Sequence, residues 1–128
     1  MCLAGASSVQ SDILAKHPDA PLIVYAIWTD KLFRDSRSQW DAGGLTDRRV
    51  VHLWDGRDIS GSWFVHHLPG YQGNDWDAYA FFGPDATWTD SSPPAVVVSG
   101  SNIINRFDQL QGAVSRVLSV QPAGESLR

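Results

Sequence analysis

Tryptophan is followed by aspartate one or two positions later five times in this chain: Trp28-Thr29-Asp30, Trp40-Asp41, Trp54-Asp55, Trp76-Asp77 and Trp88-Thr89-Asp90. An aspartate beside an indole can do two kinds of chemistry. It can hold a cation against the ring face, and two such carboxylates brought close can act as a general acid and base, because each raises the pKa of the other. The spacings of 12, 14, 22 and 12 residues match no repeat period, so the pairs are not propeller blades. A plainer account also stands: each tryptophan closes an element in the core, and each aspartate caps the next helix or starts a turn.

Other chemistries find less support. Cys2 is the only cysteine, which excludes an intramolecular disulfide, a Cys-x-x-Cys pair and a multi-cysteine zinc site. His66 and His67 are adjacent on an expected helix, where their side chains point about 100° apart and make a poor bidentate pair. His52 sits mid-strand, facing a helix or the solvent. A metal site joining one of these to Asp55 or Asp77 would lack any ligand-spacing signature, and neither a metal nor a cofactor is expected. Ser60-Gly61-Ser62 and Ser99-Gly100-Ser101 lie outside a nucleophile elbow, and no phosphate loop is present.

A net charge of −4 and a pI near 5.3 argue against nucleic acid as a partner, since phosphate neutralisation needs clustered Lys and Arg. The Arg48-Arg49 pair reads as a solvated strand entrance. No apolar run approaches the ~20 residues of a membrane span, and the start lacks a signal-peptide pattern. A soluble chain is expected, cytoplasmic or the mature form of an exported protein. Cys2 leaves a lipoprotein as an alternative, although no lipobox precedes it.

Hydrophobic residues at 43% against 19% charged describe a globular chain, and 128 residues suit one domain, with a core over about 8–120 and a tail from 121. Ser8 is expected to cap a helix over Val9–Lys16 that turns Val9, Ile13 and Leu14 inward. Leu22–Trp28 reads as a strand buried on both faces. Ser36–Ala42 suits a helix anchored by Trp40 and stopped at Gly43-Gly44, and Val50–Trp54 is a strand. Ile59–Leu68 suits a short helix ended by Pro69-Gly70, and Trp76–Phe82 a strand. Thr87-Trp88 reads as one side of a hairpin, and Ala95–Val98 as a strand. Ile103, Phe107, Leu110, Val114 and Val117 then mark an amphipathic helix with Asn105 as its cap.

This order resembles the thioredoxin fold across roughly Ser8 to Val120. Three stretches carry the resemblance: Val24–Trp28 for the strand before the redox turn, Val50–Trp54 for the next parallel strand, and Asp77–Ala86 for the hairpin. It implies an α/β three-layer sandwich with a mixed central sheet of about four strands flanked by helices. Thr29 and Leu32 stand at the positions of the family's two cysteines, and Asp77 stands where the family has a cis-proline. Dithiol exchange is therefore not expected.

In that fold the parallel strands present their carboxyl ends on one edge, where ligands of open α/β sheets bind. Thr29, Asp30, Lys31, Asp55, Trp76 and Asp77 form the candidate binding edge, suited to a small cationic or polar ligand. The expected function is a binding or interaction module without redox activity, its ligand an unidentified protein or small molecule. The alternatives are an enzyme using carboxylates or a metal at that edge, and a domain that pairs with a second copy through Val96–Val98.

Overall fold

The amino-terminal stretch alternates small and apolar residues at helical spacing, and it winds accordingly. A computed structural model of the chain describes residues 3–29, 44–71 and 77–120. Helix α1, Leu3–Ser8, continues into a π-helical segment, Val9–Leu14, in which the amide of Ala15 donates to the carbonyl of Gln10 five residues back (2.9 Å). The Ser11 hydroxyl donates to the Ser7 carbonyl (3.0 Å), supplying that acceptor with a side-chain partner where the coil widens. Val9, Ile13 and Leu14 are buried, as their spacing requires. Ser8 is not the cap expected of it. With φ −66° and ψ −39° it lies inside the continuous helix, and its side chain makes no capping bond.

Strand β1, Val24–Trp28, pairs in parallel with β2, Val50–Trp54, in the register Val24↔Val50 through Trp28↔Trp54. Burial on both faces of β1 is corrected. Ala26 and Trp28 point into the core, whereas Tyr25 and its partner Val51 are 62% and 42% exposed. The core elements meet one face of this pair, and the side-chain period of two sends alternate residues to the other.

Helix α2, Ile59–His67, follows a tight turn, and Pro69-Gly70 ends it. Strand β3, Tyr79–Phe82, pairs antiparallel with β4, Val96–Gly100, with a bulge between Phe81 and Phe82 where Val97 has no partner in the register. Thr87-Trp88 is not a strand: residues 86–89 are irregular and exposed. Helix α3, Phe107–Ser119, packs on β3, β4 and the π-helical segment. Asn105 does not cap it; the helix begins after Arg106, whose side chain makes no capping bond.

The architecture is mixed α/β, with three α-helices and two sheets of two strands each among the described residues. The expected single sheet of about four strands is not formed there, because no ladder of backbone hydrogen bonds joins β1 to β3. What unites the pairs is side-chain packing. Leu14, Ala26, Trp28, Leu45, Tyr79, Ile103, Leu110 and Val114 belong to one buried cluster that spans both sheets and the helices. The helix expected over Ser36–Ala42 and the tail from 121 lie outside the described residues.

Arg49 fastens the two ends of this arrangement. Its guanidinium donates five hydrogen bonds: Nε and Nη2 to Asp47 (2.9 and 2.8 Å), Nη1 to the carbonyls of His17 and Ala20 (2.7 and 3.0 Å), and Nη2 also to the carbonyl of Leu14 (2.9 Å). All five N–H groups of the side chain are engaged. It is thus no solvated strand entrance: it ties the carbonyl end of the first helical unit to the start of β2.

Candidate functional site

Asp55 directly follows β2, and its amide donates to the Trp28 carbonyl (2.7 Å), so the residue sits at the carboxyl end of the parallel pair. From there its side chain organises α2. Asp58 adopts the left-handed region at φ 55°, a conformation Asp tolerates better than most residues. That turn folds the chain back so that Asp55, three residues upstream of the cap position, meets the open amides of the helix. Oδ1 accepts from the Ile59 amide (3.0 Å), and Oδ2 accepts from the Ser60 amide (2.7 Å) and the Ser60 hydroxyl. Burial would raise the carboxyl pKa, but the hydrogen bonds from the Ser60 hydroxyl and from the amides of Ile59, Ser60 and Gly61 outweigh it and hold the group below the usual carboxylate range. Asp55 is ionised and largely occupied.

Its capping role starts a groove. Asp55, Ile59, Ser60, Trp63, Phe64, Trp88 and Thr89 line an open, mainly apolar depression of about 430 Å³ between α2 and the irregular segment that connects β3 to β4. Aromatic rings make its wall. Trp88, half exposed, packs against Phe82 (ring centroids 5.2 Å apart, edge-on), Phe64 (6.2 Å) and Trp63 (6.3 Å). Trp63 in turn stacks flat on His67 at 4.0 Å, one helical turn along. Offset and edge-on contacts of this kind hold rings in place through their quadrupoles. The Nδ1 atoms of His66 and His67 sit 2.8 and 2.6 Å from the carbonyls of Ser62 and Trp63, so both rings are tied to α2 itself.

The far end of α2 is fixed by a close approach. The Ser99 hydroxyl donates to the Pro69 carbonyl (2.6 Å), and the Ser101 amide donates to the Gly70 carbonyl (3.0 Å). Gly70 has φ +84°, and a Cβ there would stand 2.7 Å from the Ser99 carbonyl oxygen. Only glycine fits both the conformation and the space.

Thr29 and Asp77, the other described members of the predicted edge, do not line this groove. Thr29 and Asp77 are buried, 6% and 8% exposed, and Thr29 Oγ1, Asp77 Oδ1 and Tyr79 Oη lack a hydrogen-bond partner among the described residues. Asp77 is held against the β4–α3 turn, its carbonyl accepting from the Ile103 amide (2.9 Å). Thr29 adjoins Asp55 through the Trp28 carbonyl. Asp30, Lys31 and Trp76 lie outside the described residues. Of the described members of the predicted edge, Asp55 alone lines the groove, and it comes with Trp63 and Phe64, which the sequence places on a short helix, and Trp88, which it places on one side of a hairpin. The fifth Trp-x-Asp pair was the available signal, since it places an indole in a polar, turn-rich stretch.

His52 has a structural setting. Trp28 Nε1 donates to its Nδ1 (3.1 Å); an indole N–H can only donate, so Nε2 carries the imidazole proton and donates to the Leu45 carbonyl (2.9 Å). Among the described residues no three of His, Cys, Asp and Glu come together as metal ligands. No described helix is long and apolar enough to cross a membrane.

No protein-family model matches the chain, and comparison with curated proteins and with solved structures finds no match either.

Proposed function

We propose that this chain is a small binding module of thioredoxin-like layout, without redox activity, which takes its ligand in the groove of Asp55, Trp63, Phe64 and Trp88. The layout is supported by a parallel pair followed by an antiparallel pair and a closing helix, all sharing one core. Thr29, at the end of the first strand, offers no thiol for exchange.

One observation carries the binding reading. Trp88 stays half exposed while packed on three other rings, so the groove wall is braced from behind and still open to a ligand. Apolar concave surfaces with a few placed polar groups are the usual form of ligand sites. A second reading, an enzyme with carboxylate chemistry at the sheet edge, rests on the buried Asp77 Oδ1.

A library of aromatic and cationic fragments screened by two-dimensional NMR separates the two. The indole signals, assigned with Trp63→Phe and Trp88→Phe variants, are expected to shift together with the Ser60 and Thr89 amides. Shifts confined to Thr29 and Asp77, with the two indoles silent, would move the site to the sheet edge and sink the groove.

A further inference from the structure

We infer that the groove receives the guanidinium of an arginine presented by a basic segment of a partner protein. This rests on the binding reading above and adds the chemistry of the occupant. The two stretches that build the groove, residues 55–67 and 83–92, carry the carboxylates Asp55, Asp58, Asp85 and Asp90 against a single guanidinium, Arg57. The stretches that form this apolar wall thus carry an excess of negative charge, and low-dielectric walls focus the field of such charges. Asp85 and Asp90 are exposed on the segment that also bears Trp88.

The rings choose among cations. His67 covers one face of Trp63, and Ile59 and Ser60, one turn back, line the groove with it. A guanidinium is planar and weakly hydrated, so it stacks on an indole at less cost than an ammonium, which must shed a tighter water shell.

Two further features define how the cation arrives. The depression is open to solvent, whereas a free small molecule is normally enclosed over most of its surface. A side chain delivered on an extended segment needs only one face, and its flanking residues reach the carboxylates beyond the rings. Asp55 already accepts three hydrogen bonds from α2, and a carboxylate offers about four lone-pair positions. It therefore contributes charge more than a new hydrogen bond, and the rings dominate recognition.

The full chain is titrated with three probes: a blocked Gly-Arg-Gly tripeptide, the same peptide with neutral citrulline in place of arginine, and tetramethylammonium. Indole NMR signals give the readout. The arginine peptide should bind about fivefold more tightly than the citrulline peptide at low salt, as one exposed cation–π contact allows, with the advantage shrinking as salt rises. Trp88→Ala should abolish binding and Asp90→Asn should weaken it by a smaller factor. Should Trp88→Ala fail to fold, Thr89→Lys places a competing cation on the exposed rim and should likewise block the peptide. Equal affinity for arginine and citrulline overturns the cation inference and leaves an aromatic binding face intact. Preference for tetramethylammonium over the peptide overturns the partner-segment inference and makes the site one for a small cation. Silence of both indoles with all three probes overturns the inference, while the fragment screen decides the groove itself.

Discussion

The indole of Trp63 lies flat on the imidazole of His67, with ring centroids 4.0 Å apart and planes 12° from parallel. Because the two residues are four apart on α2, the stack is set by the helix and precedes any ligand. His67→Ala should lower stability by about 0.5–1 kcal/mol, the range of an aromatic pair on a surface helix. Urea titration checks the energy. The Trp63 indole signal should broaden or move, with the far-UV circular dichroism unchanged.

Asp55 replaces a local cap with one from three residues upstream, so its removal should loosen α2 as a unit. Asp55→Ala is expected to cost about 1–2 kcal/mol, as lost helix caps do, and Asp55→Asn less, because an amide oxygen still accepts from Ile59 or Ser60. Denaturation midpoints of the two variants test this ordering. Equal losses would mean that the charge of Asp55, not its acceptor geometry, holds the helix.

The acid limb of stability has a defined sign. Asp55 and Asp47 both titrate below their ordinary values in the folded chain, Asp47 because the Arg49 side chain and amide donate to it. A depressed folded pKa stabilises the fold above the unfolded carboxyl value near 4 and loses that contribution as pH falls through the folded value. Stability measured by urea should therefore be level for these groups from pH 7 to about 5 and decline below about 4. The Asp47→Asn/Asp55→Asn double variant should show a shallower decline.

Arg49→Lys keeps the charge and loses the fork. A lysine has three donors where five are in use, so at least two bonds to Asp47 or to the carbonyls of Leu14, His17 and Ala20 disappear. At about 1 kcal/mol for each lost bond, a loss near 2 kcal/mol is expected. Hydrogen exchange should localise the change to the π-helical segment and the start of β2.

Tyr79 carries the opposite pH sign. Burial raises its phenol pKa against the opposing pull of Arg106. A folded pKa above the unfolded value near 10 leaves the contribution whole below that pH and removes it as pH rises through the folded value. Tyr79→Phe should flatten the alkaline decline. At neutral pH it should cost nothing or stabilise by up to about 1 kcal/mol, because the Oη atom has no partner among the described residues.

Local signals in the sequence were legible where one physical cause dominates. The short, mostly apolar run at Val50–Trp54 and the stop at Pro69-Gly70 locate β2 and α2 almost to the residue. Leu22–Trp28 misled because every residue in it is apolar, so the run carries no alternation to show that Tyr25 faces outward. Strand pairing was not legible either, since which backbone edge meets which is decided by packing around Leu14 and Tyr79, far apart in the chain. The groove was half visible. Asp55 could be placed at a strand end from local pattern alone, but the meeting of Trp63 with Trp88, 25 positions later, is a tertiary contact that no window of sequence contains.

The anchoring of α2 to β4 also orders events in time. Ser99 bonds the Pro69 carbonyl across 30 positions of chain, and Gly70 admits that strand at a distance no other residue allows. During synthesis, α2 leaves the ribosome well before the strand that fixes its end. The carbonyls of Pro69 and Gly70 at its end then have no such partners until Ser99 and Ser101 have emerged. The carboxyl end of α2 is thus fixed only once β4 has been made, and a chain truncated before β4 would lack both bonds that hold it.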